Sequence, residues 1–188
     1  MNFIGTKTLK TKRLILRKFS KNDLNDFYEY ASNYEITKFL TWNPHKSIQE
    51  SQNILENIFI KYDNKTFRWA IILKEENKLI GSIDVTKINK IDESVEVGYA
   101  LNINYHNKGF MTEAFKEIIN YLFNEVNVKE IRACFQIENT PSYKVVKKCG
   151  FKDLNLIVEK ILPLKNNKVV YVKYMTIKKY EYTLLNKN

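Results

Sequence analysis

From Met111 to Val126 one helical face collects Met111, Ala114, Phe115, Ile118, Ile119, Leu122, Phe123 and Val126, an apolar stripe about four turns long. Three runs of strand character stand just before it: "TFRWAIIL", "KLIGSIDVTKI" and "SVEVGYALNI", parted only by "KEENK" and "NKIDE". Polar joints that short suit antiparallel hairpins better than helical crossovers. The helix then hands the chain to another strand, since "KEIRACFQI" alternates as one. Strand, helix and strand over residues 94–138 fit a right-handed parallel crossover set beside the hairpins. These constraints predict an α/β (α+β) fold whose central sheet is mixed and mostly antiparallel, flanked by helices.

The flanking segments add elements without repeats or linkers. "KRLILRKF" reads as a strand, Leu14 and Leu16 alternating with Arg13, Ile15 and Arg17. Ser20 with Asp23 makes a capping-box pattern ahead of a helix whose apolar face is Leu24, Phe27, Tyr28 and Ala31. A second box, Ser47 with Glu50, opens a helix facing inward through Ile54, Leu55, Ile58, Phe59 and Tyr62. Between them "TKFLTWNPHKS" reads as an aromatic-containing loop. Later, "TPSYKVVKKCG" predicts a short helix with Thr140 as cap, Pro141 at the first helical position and Gly150 just past the end. Two strands near 152–162 and 168–178 close the sequence, and an exposed sheet edge there suits a homodimer as readily as a monomer.

At 188 residues the chain suits one domain spanning 1–188. Hydrophobic residues at 44% and aromatics at 13% exclude a disordered chain. The opening "MNFIGTKTLKTKR" lacks the apolar run of a signal peptide, and no stretch approaches the ~18 apolar residues of a spanning helix. A cytoplasmic protein without membrane contact is expected. Cys134 and Cys149 have no metal-ligand spacing, so both read as small buried thiols and no metal site is expected. The formal charge of +10, 31 Lys and Arg against 21 Asp and Glu, attracts anions such as nucleotides, acidic peptides or RNA. The basic residues are spread along the chain, however, and an AT-rich genome gives the same bias, so direct nucleic-acid binding is not expected.

"HNKGFMTEAF", residues 106–115, places a lone glycine at the mouth of the helix with the strongest apolar period. Helix N-termini present unpaired N–H groups and a partial positive charge, a ready seat for an anion such as phosphate. Gly109 allows close backbone approach, and Asn107 and Lys108 keep the turn polar. One glycine before a helix also serves as a plain turn. The five glycines, at 5, 81, 98, 109 and 150, allow neither G-x-G-x-x-G nor G-x-x-x-x-G-K-[ST].

The stretch "SVEVGYALNINYHNKGFMTEAFKEIINYLF" through "IRACFQIENTPSYKVVKKCGF" resembles the GCN5-related N-acetyltransferase (GNAT) superfamily, and within it the RimJ/RimL-like branch of ribosomal-protein N-terminal acetyltransferases. "KTKRLILRKFSKNDLNDFYEYASNYEITKFLTWNPHKS" and "FRWAIILKEENKLIGSIDV" are similar to that branch's N-terminal segment and central hairpin. The resemblance implies the acyl-CoA N-acyltransferase fold and acetyl-CoA as co-substrate. It lays the family's Q/R-x-x-G-x-G/A pyrophosphate loop on His106, Asn107, Lys108, Gly109, Phe110 and Met111, running into Thr112. His106 and Met111 depart from that pattern, but the loop works through backbone N–H groups that any residue except proline supplies. The resemblance also implies that Leu101 and Ile103 pair their backbone with the pantetheine arm and that Asn139 touches it. Gly98 marks either a strand bulge that opens the cofactor slot or a packing gap under an aromatic ring.

The implied reaction is attack of a neutral primary amine on the thioester. Glu96 matches the strand carboxylate that takes the amine proton, directly or through water, although alternation also allows a solvated edge residue. A backbone N–H between Tyr99 and Leu101 is the expected oxyanion donor. Many family members place a proton-donating Tyr four residues before the glycine of the short helix; that position is Val146 here. In the RimL-like variant the Ser of N-x-x-S takes this part, which makes Ser142 the candidate acid, with helix capping or water contact as its other reading. Cys149, at a helix C-terminus, is disfavoured as a nucleophile. Phe39 and Trp42, with His45 nearby, line the acceptor pocket or anchor the core. Lys173 stands where the branch often carries an acidic residue, removing one contact for a cationic amine. The acceptor is expected to be a protein N-terminus or a small amine. A catalytically silent cofactor-binding or ribosome-associated module is the alternative.

Overall fold

The computed structural model describes residues 1–63 and 65–185. Eight strands form one sheet: β1 (Leu9–Lys10), β2 (Leu14–Arg17), β3 (Arg68–Leu73), β4 (Lys78–Asn89), β5 (Ser94–Leu101), β6 (Glu130–Gln136), β7 (Lys152–Leu162) and β8 (Lys168–Lys178). Their spatial order is β1-β2-β3-β4-β5-β6-β8-β7. Every neighbouring pair is antiparallel except β5 with β6, the product of the predicted crossover. The helices are α1 (Leu24–Ala31), α2 (Tyr34–Thr37), α3 (Ile48–Ile60), α4 (Phe110–Asn124), α5 (Thr140–Lys148) and α6 (Lys179–Leu185).

Strand alternation divides the core in two. Leu14, Leu16, Trp69, Ile71, Val95 and Val97 face the buried stripe of α4, where Ala114, Phe115, Ile118 and Leu122 are wholly covered. Each such large apolar side chain contributes ~1.5–3 kcal/mol over leaving it exposed. The Trp69 indole N–H donates to the Lys7 carbonyl at 2.8 Å, so even this largest buried side chain leaves no polar group unpaired. On the other face Ala70, Ile72, Leu79 and Ala100 pack under Phe27, Tyr30, Leu55 and Ile58 of α1 and α3. Tyr30 rather than the expected Tyr28 is the fully buried tyrosine of α1.

Local signals explain the boundaries and a few differences. The Ser20 N–H donates to the Asp23 carboxylate at 2.7 Å, which forms the first predicted box. At the second the Ser47 hydroxyl accepts from the Glu50 N–H at 3.2 Å, but the Glu50 carboxylate accepts from the Lys46 N–H at 2.7 Å and not from Ser47, so only half of that box forms. The cap of α5 is Asn139 instead of Thr140, because its side-chain oxygen accepts from the Ser142 N–H at 3.1 Å; Pro141 thereby takes the second helical position. The strand that begins at Ser94 ends at Leu101, and Ile103 lies in a 3-10 turn over Ile103–Tyr105 because the Asn102 side chain caps it. The bulge between β4 and β5 falls at Thr86, where the register shifts between Val85 and Lys87, while Gly98 stays in register with Asp84. A Cβ on Gly98 would stand 3.1 Å from the Thr86 Cγ2, so the glycine fills a gap under a methyl group and not under a ring. Cys149 is buried, whereas Cys134 is only half-buried. The short α2, the two-residue β1 and α6 carry too little periodicity to be read from sequence. Among the described residues no helix is long and apolar enough to cross a membrane.

Candidate active site

The cleft arises where the one parallel ladder gives out. Ser94–Val97 pair with Glu130–Ala133, after which β5 and β6 diverge and β6 stays with β8. The Asn102 N–H donates to the Ile80 carbonyl at 2.7 Å, so by antiparallel alternation Ala100 and Gly98 exchange their bonds with β4. The backbone groups of Tyr99 and Leu101 therefore aim into the gap. A cavity of about 540 Å³ occupies it, bounded by Tyr99–Leu101, the turn into α4 and the start of α5.

Two left-handed residues build the turn. Asn107 has φ 59° and Gly109, the N-cap of α4, has φ 79°. Glu113 is the first to send its N–H to an intrahelical partner, the Gly109 carbonyl at 3.0 Å, which leaves the N–H groups of Phe110, Met111 and Thr112 at the helix mouth. His106, on the cavity wall, turns its Nε2 onto the Leu101 carbonyl at 3.0 Å and braces the turn against the strand end. That bond consumes one of the cleft-facing groups of Leu101. Ile103 keeps its side chain on the cavity wall, but its carbonyl accepts from the His106 N–H. Lys108 does not line the cavity; its Nζ lies 5.3 Å above the Tyr105 ring.

Arg13 is a member of this site that local sequence pattern does not reveal. Its guanidinium donates to the Lys108 carbonyl at 2.9 Å and to Glu113 at 2.6 Å, and lies 4.2 Å above the Phe110 ring. Burial alone would raise the Glu113 carboxyl, yet bonds from the Thr11 hydroxyl, the Arg13 N–H and the guanidinium outweigh it and hold the group below its ordinary value. Arg13 and Glu113 thus clamp the turn from outside, 100 residues apart in sequence, which is why only the fold brings them into view.

The opposite wall is α5. Asn139, Thr140, Pro141, Ser142, Lys144 and Lys148 line the cavity there. The Asn139 side-chain oxygen is already spent on its cap bond, which leaves its amide N–H₂ for a ligand. Ser142 is half-buried, and its carbonyl accepts from the Tyr99 hydroxyl at 3.1 Å; burial pushes the Tyr99 phenol well above its ordinary value, so it stays neutral and keeps donating. Val146 is fully buried and offers no proton. Tyr143 packs 6.3 Å from Phe135, away from the cavity wall. Burial pushes the Cys149 thiol up to about 12, which removes it as a nucleophile at neutral pH.

Glu96 and Ser142 belong to different faces of the sheet. Alternation puts Glu96 opposite Val95, Val97 and Tyr99, on the face that also carries Cys134, Gln136, Val172 and Tyr174 by register. It is half-buried and lines neither cavity. A second cavity of about 510 Å³ opens over that face, between the segment after α2 and the β7–β8 turn. Phe39 lines both cavities, at their junction. Trp42 lines neither: it stacks 5.0 Å from His45, itself buried with Nδ1 2.7 Å from the Ser51 hydroxyl, and both pack into the α1/α3 core. Lys173 is neutralised by Asp153 at 2.5 Å on the α5 side, away from both cavities.

The site is thus a sheet split at a parallel seam with a helix mouth facing the split. The family model described as an acetyltransferase (GNAT) domain matches residues 13–152. The uncharacterized N-acetyltransferase YnaD of Bacillus subtilis (strain 168) is 34% identical over 154 residues, covering 77% of this chain and 82% of that protein. A GNAT-family acetyltransferase from Bacillus anthracis superposes with a TM-score of 0.80 at 28% identity, over 93% of this chain and 99% of that one. Spermidine N-acetyltransferase from Vibrio cholerae, solved in complex with CoA and spermine, gives 0.75 at 25% identity, over 92% and 99%. The chain belongs to the GNAT acetyltransferase family and is an N-acetyltransferase.

Proposed function

We propose that this enzyme moves an acetyl group from acetyl-CoA to a primary amine by direct attack, with a protein N-terminus of the RimJ/RimL-like kind and a small amine as the two acceptor classes. The observation that carries the cofactor assignment is the turn: left-handed Asn107 and Gly109 present the N–H groups of Phe110, Met111 and Thr112 to the cavity between β5 and α5. Acetyl-CoA would bring a thioester and a pyrophosphate, and the helix mouth suits the second. Lys144 and Lys148, one helical turn apart on the facing wall, suit its remaining phosphate. The Tyr99 and Leu101 backbone on one side and the Asn139 amide on the other suit the amide groups of the pantetheine arm.

Within that frame the chain's residues divide the proton work. Glu96, on the acceptor face, takes the ammonium proton through a water, since its side chain stands off both cavities. A Tyr99 or Leu101 N–H donates to the developing oxyanion. Ser142, held by the Tyr99 hydroxyl bond to its carbonyl, donates to the departing sulfur. A silent cofactor-binding module is the rival, favoured by the buried Val146 where a tyrosine acid would stand. Titrating the protein with acetyl-CoA and CoA by calorimetry, then following thiol release over a panel of amines, tests the reading. Binding in the micromolar range with release on at least one amine is expected. Glu96→Gln is expected to cut turnover about a hundredfold while leaving cofactor binding unchanged; turnover that survives intact removes Glu96 as the base.

A further inference from the structure

The second cavity is unusually poor in compensating negative charge. Three lysines line it, Lys38, Lys165 and Lys168, against a single carboxylate, Glu138. Lys38 is spoken for by Glu35 at 2.5 Å. Among the described residues Lys165 has no carboxylate partner: its Nζ donates to the carbonyls of Thr37 at 2.6 Å and Lys38 at 3.2 Å, which satisfies two of three donors and points the ammonium under the segment after α2. Burial first, and then the neighbouring Lys168, lower its proton affinity. Lys168 sits on the acceptor face by register, in the row Lys168, Val170, Val172 and Tyr174 that runs toward Glu96. Glu138 lies at the junction, on the wall of both cavities.

Lys165 is half-buried with only carbonyls as partners and the exposed Lys168 adds like charge beside it, so an anion entering this cavity would neutralise charge that the carbonyls leave in place. A polycation entering the same space would meet like charge. From this arrangement we infer that the acceptor is an amine carrying a negatively charged group, carboxylate or phosphate, at its far end, with Lys165 and Lys168 holding the anion and Glu138 attracting the amine toward the cleft. This rests on the acetyl-transfer reading above and narrows it by substrate class. Between the two ends the wall carries the buried side chains of Val170 and Gln136, so the middle of the acceptor meets one apolar group and one amide.

The test uses matched pairs with acetyl-CoA: Ala-Glu against Ala-Gln, O-phosphoethanolamine against ethanolamine, and spermidine as the polycation. The expected result is a kcat/KM on the order of tenfold higher for the anionic member of at least one pair, with the pair that responds naming carboxylate or phosphate. Lys168→Gln should bring that ratio close to one. Equal use within both pairs, a preference for spermidine, or a ratio unmoved in Lys168→Gln overturns the inference while leaving acetyl transfer standing. If no amine releases thiol, acetyl transfer itself falls, and calorimetric titration of the CoA-loaded protein decides the anion site separately. Ala-Glu or O-phosphoethanolamine should then bind where the uncharged partner does not, and an absence of heat from both removes the site.

Discussion

The two sides of the cleft are held by different means. On the cofactor side, the turn over 102–112 is fixed by backbone: two left-handed residues, a helix cap, a His106 bond to a strand end, and the Arg13 clamp behind it. On the side proposed for the acceptor, the segment after α2 and the β7–β8 turn meet through a few long side chains, with Asn43 donating to the Leu164 carbonyl at 2.6 Å and Lys165 reaching the carbonyls of Thr37 and Lys38. Strand β7 above them is exposed along most of its length. A site made of backbone tolerates changed side chains and keeps one ligand. A site made of surface side chains can be rewritten one residue at a time.

The widest gap between the sides should open at Gly109. With φ 79°, Gly109→Val forces a β-branched residue into the left-handed region at a cost of ~1–3 kcal/mol and displaces the helix-mouth N–H groups. The heat of acetyl-CoA binding should vanish in calorimetry, whereas an unchanged titration would mean the turn does not touch the cofactor. Ser142→Ala should lower kcat by roughly tenfold with little change in cofactor affinity, at the weak end of general acid catalysis because a thiolate leaves readily. Rates equal to wild type would hand the proton to water.

Glu113→Gln sharpens the comparison through pH. The folded carboxyl sits below its reference value of 4.5, so its bonds stabilise the protein above that pH and are lost as pH falls through the folded value. The variant should lose ~1.5–3 kcal/mol near neutrality and show a flatter acid limb in chemical unfolding. An acid limb as steep as wild type would place that dependence elsewhere. Smallest of all, Asn43→Ala on the other side removes one neutral bond worth ~1 kcal/mol. Acceptor KM should rise a few-fold while the cofactor Kd stays put, and a matching change in cofactor Kd would show that the two sides are not independent.

Much of the fold was legible because its periodicities are long. The α4 stripe, the hairpin spacings and the two closing strands all agree with the structure within a residue or two. Short elements escaped, since four residues of α2 cannot carry a helical period. In the site, Gly109 and the helix mouth were readable from local chemistry, but Arg13 was not, because nothing in "KTKRL" says that its guanidinium will meet a turn 95 residues on. Trp42 shows the reverse case: an aromatic in a loop reads equally as a binding wall or a core anchor until His45 is seen beside it and Phe27 beside His45. The second cavity was not legible because its lysines come from one surface turn and a segment more than a hundred residues away.

The seam between β5 and β6 has a mechanical consequence. Four residue pairs are the sole ladder joining the half-sheet β1–β5 to the half-sheet β6–β8 among the described residues. The cleft opens at the end of that short joint, so whatever fills it bridges two plates that share one narrow hinge. A bound cofactor would work as a staple, and its first signature should be slower hydrogen exchange at the Tyr99 and Leu101 amides, seen before any catalytic turnover begins.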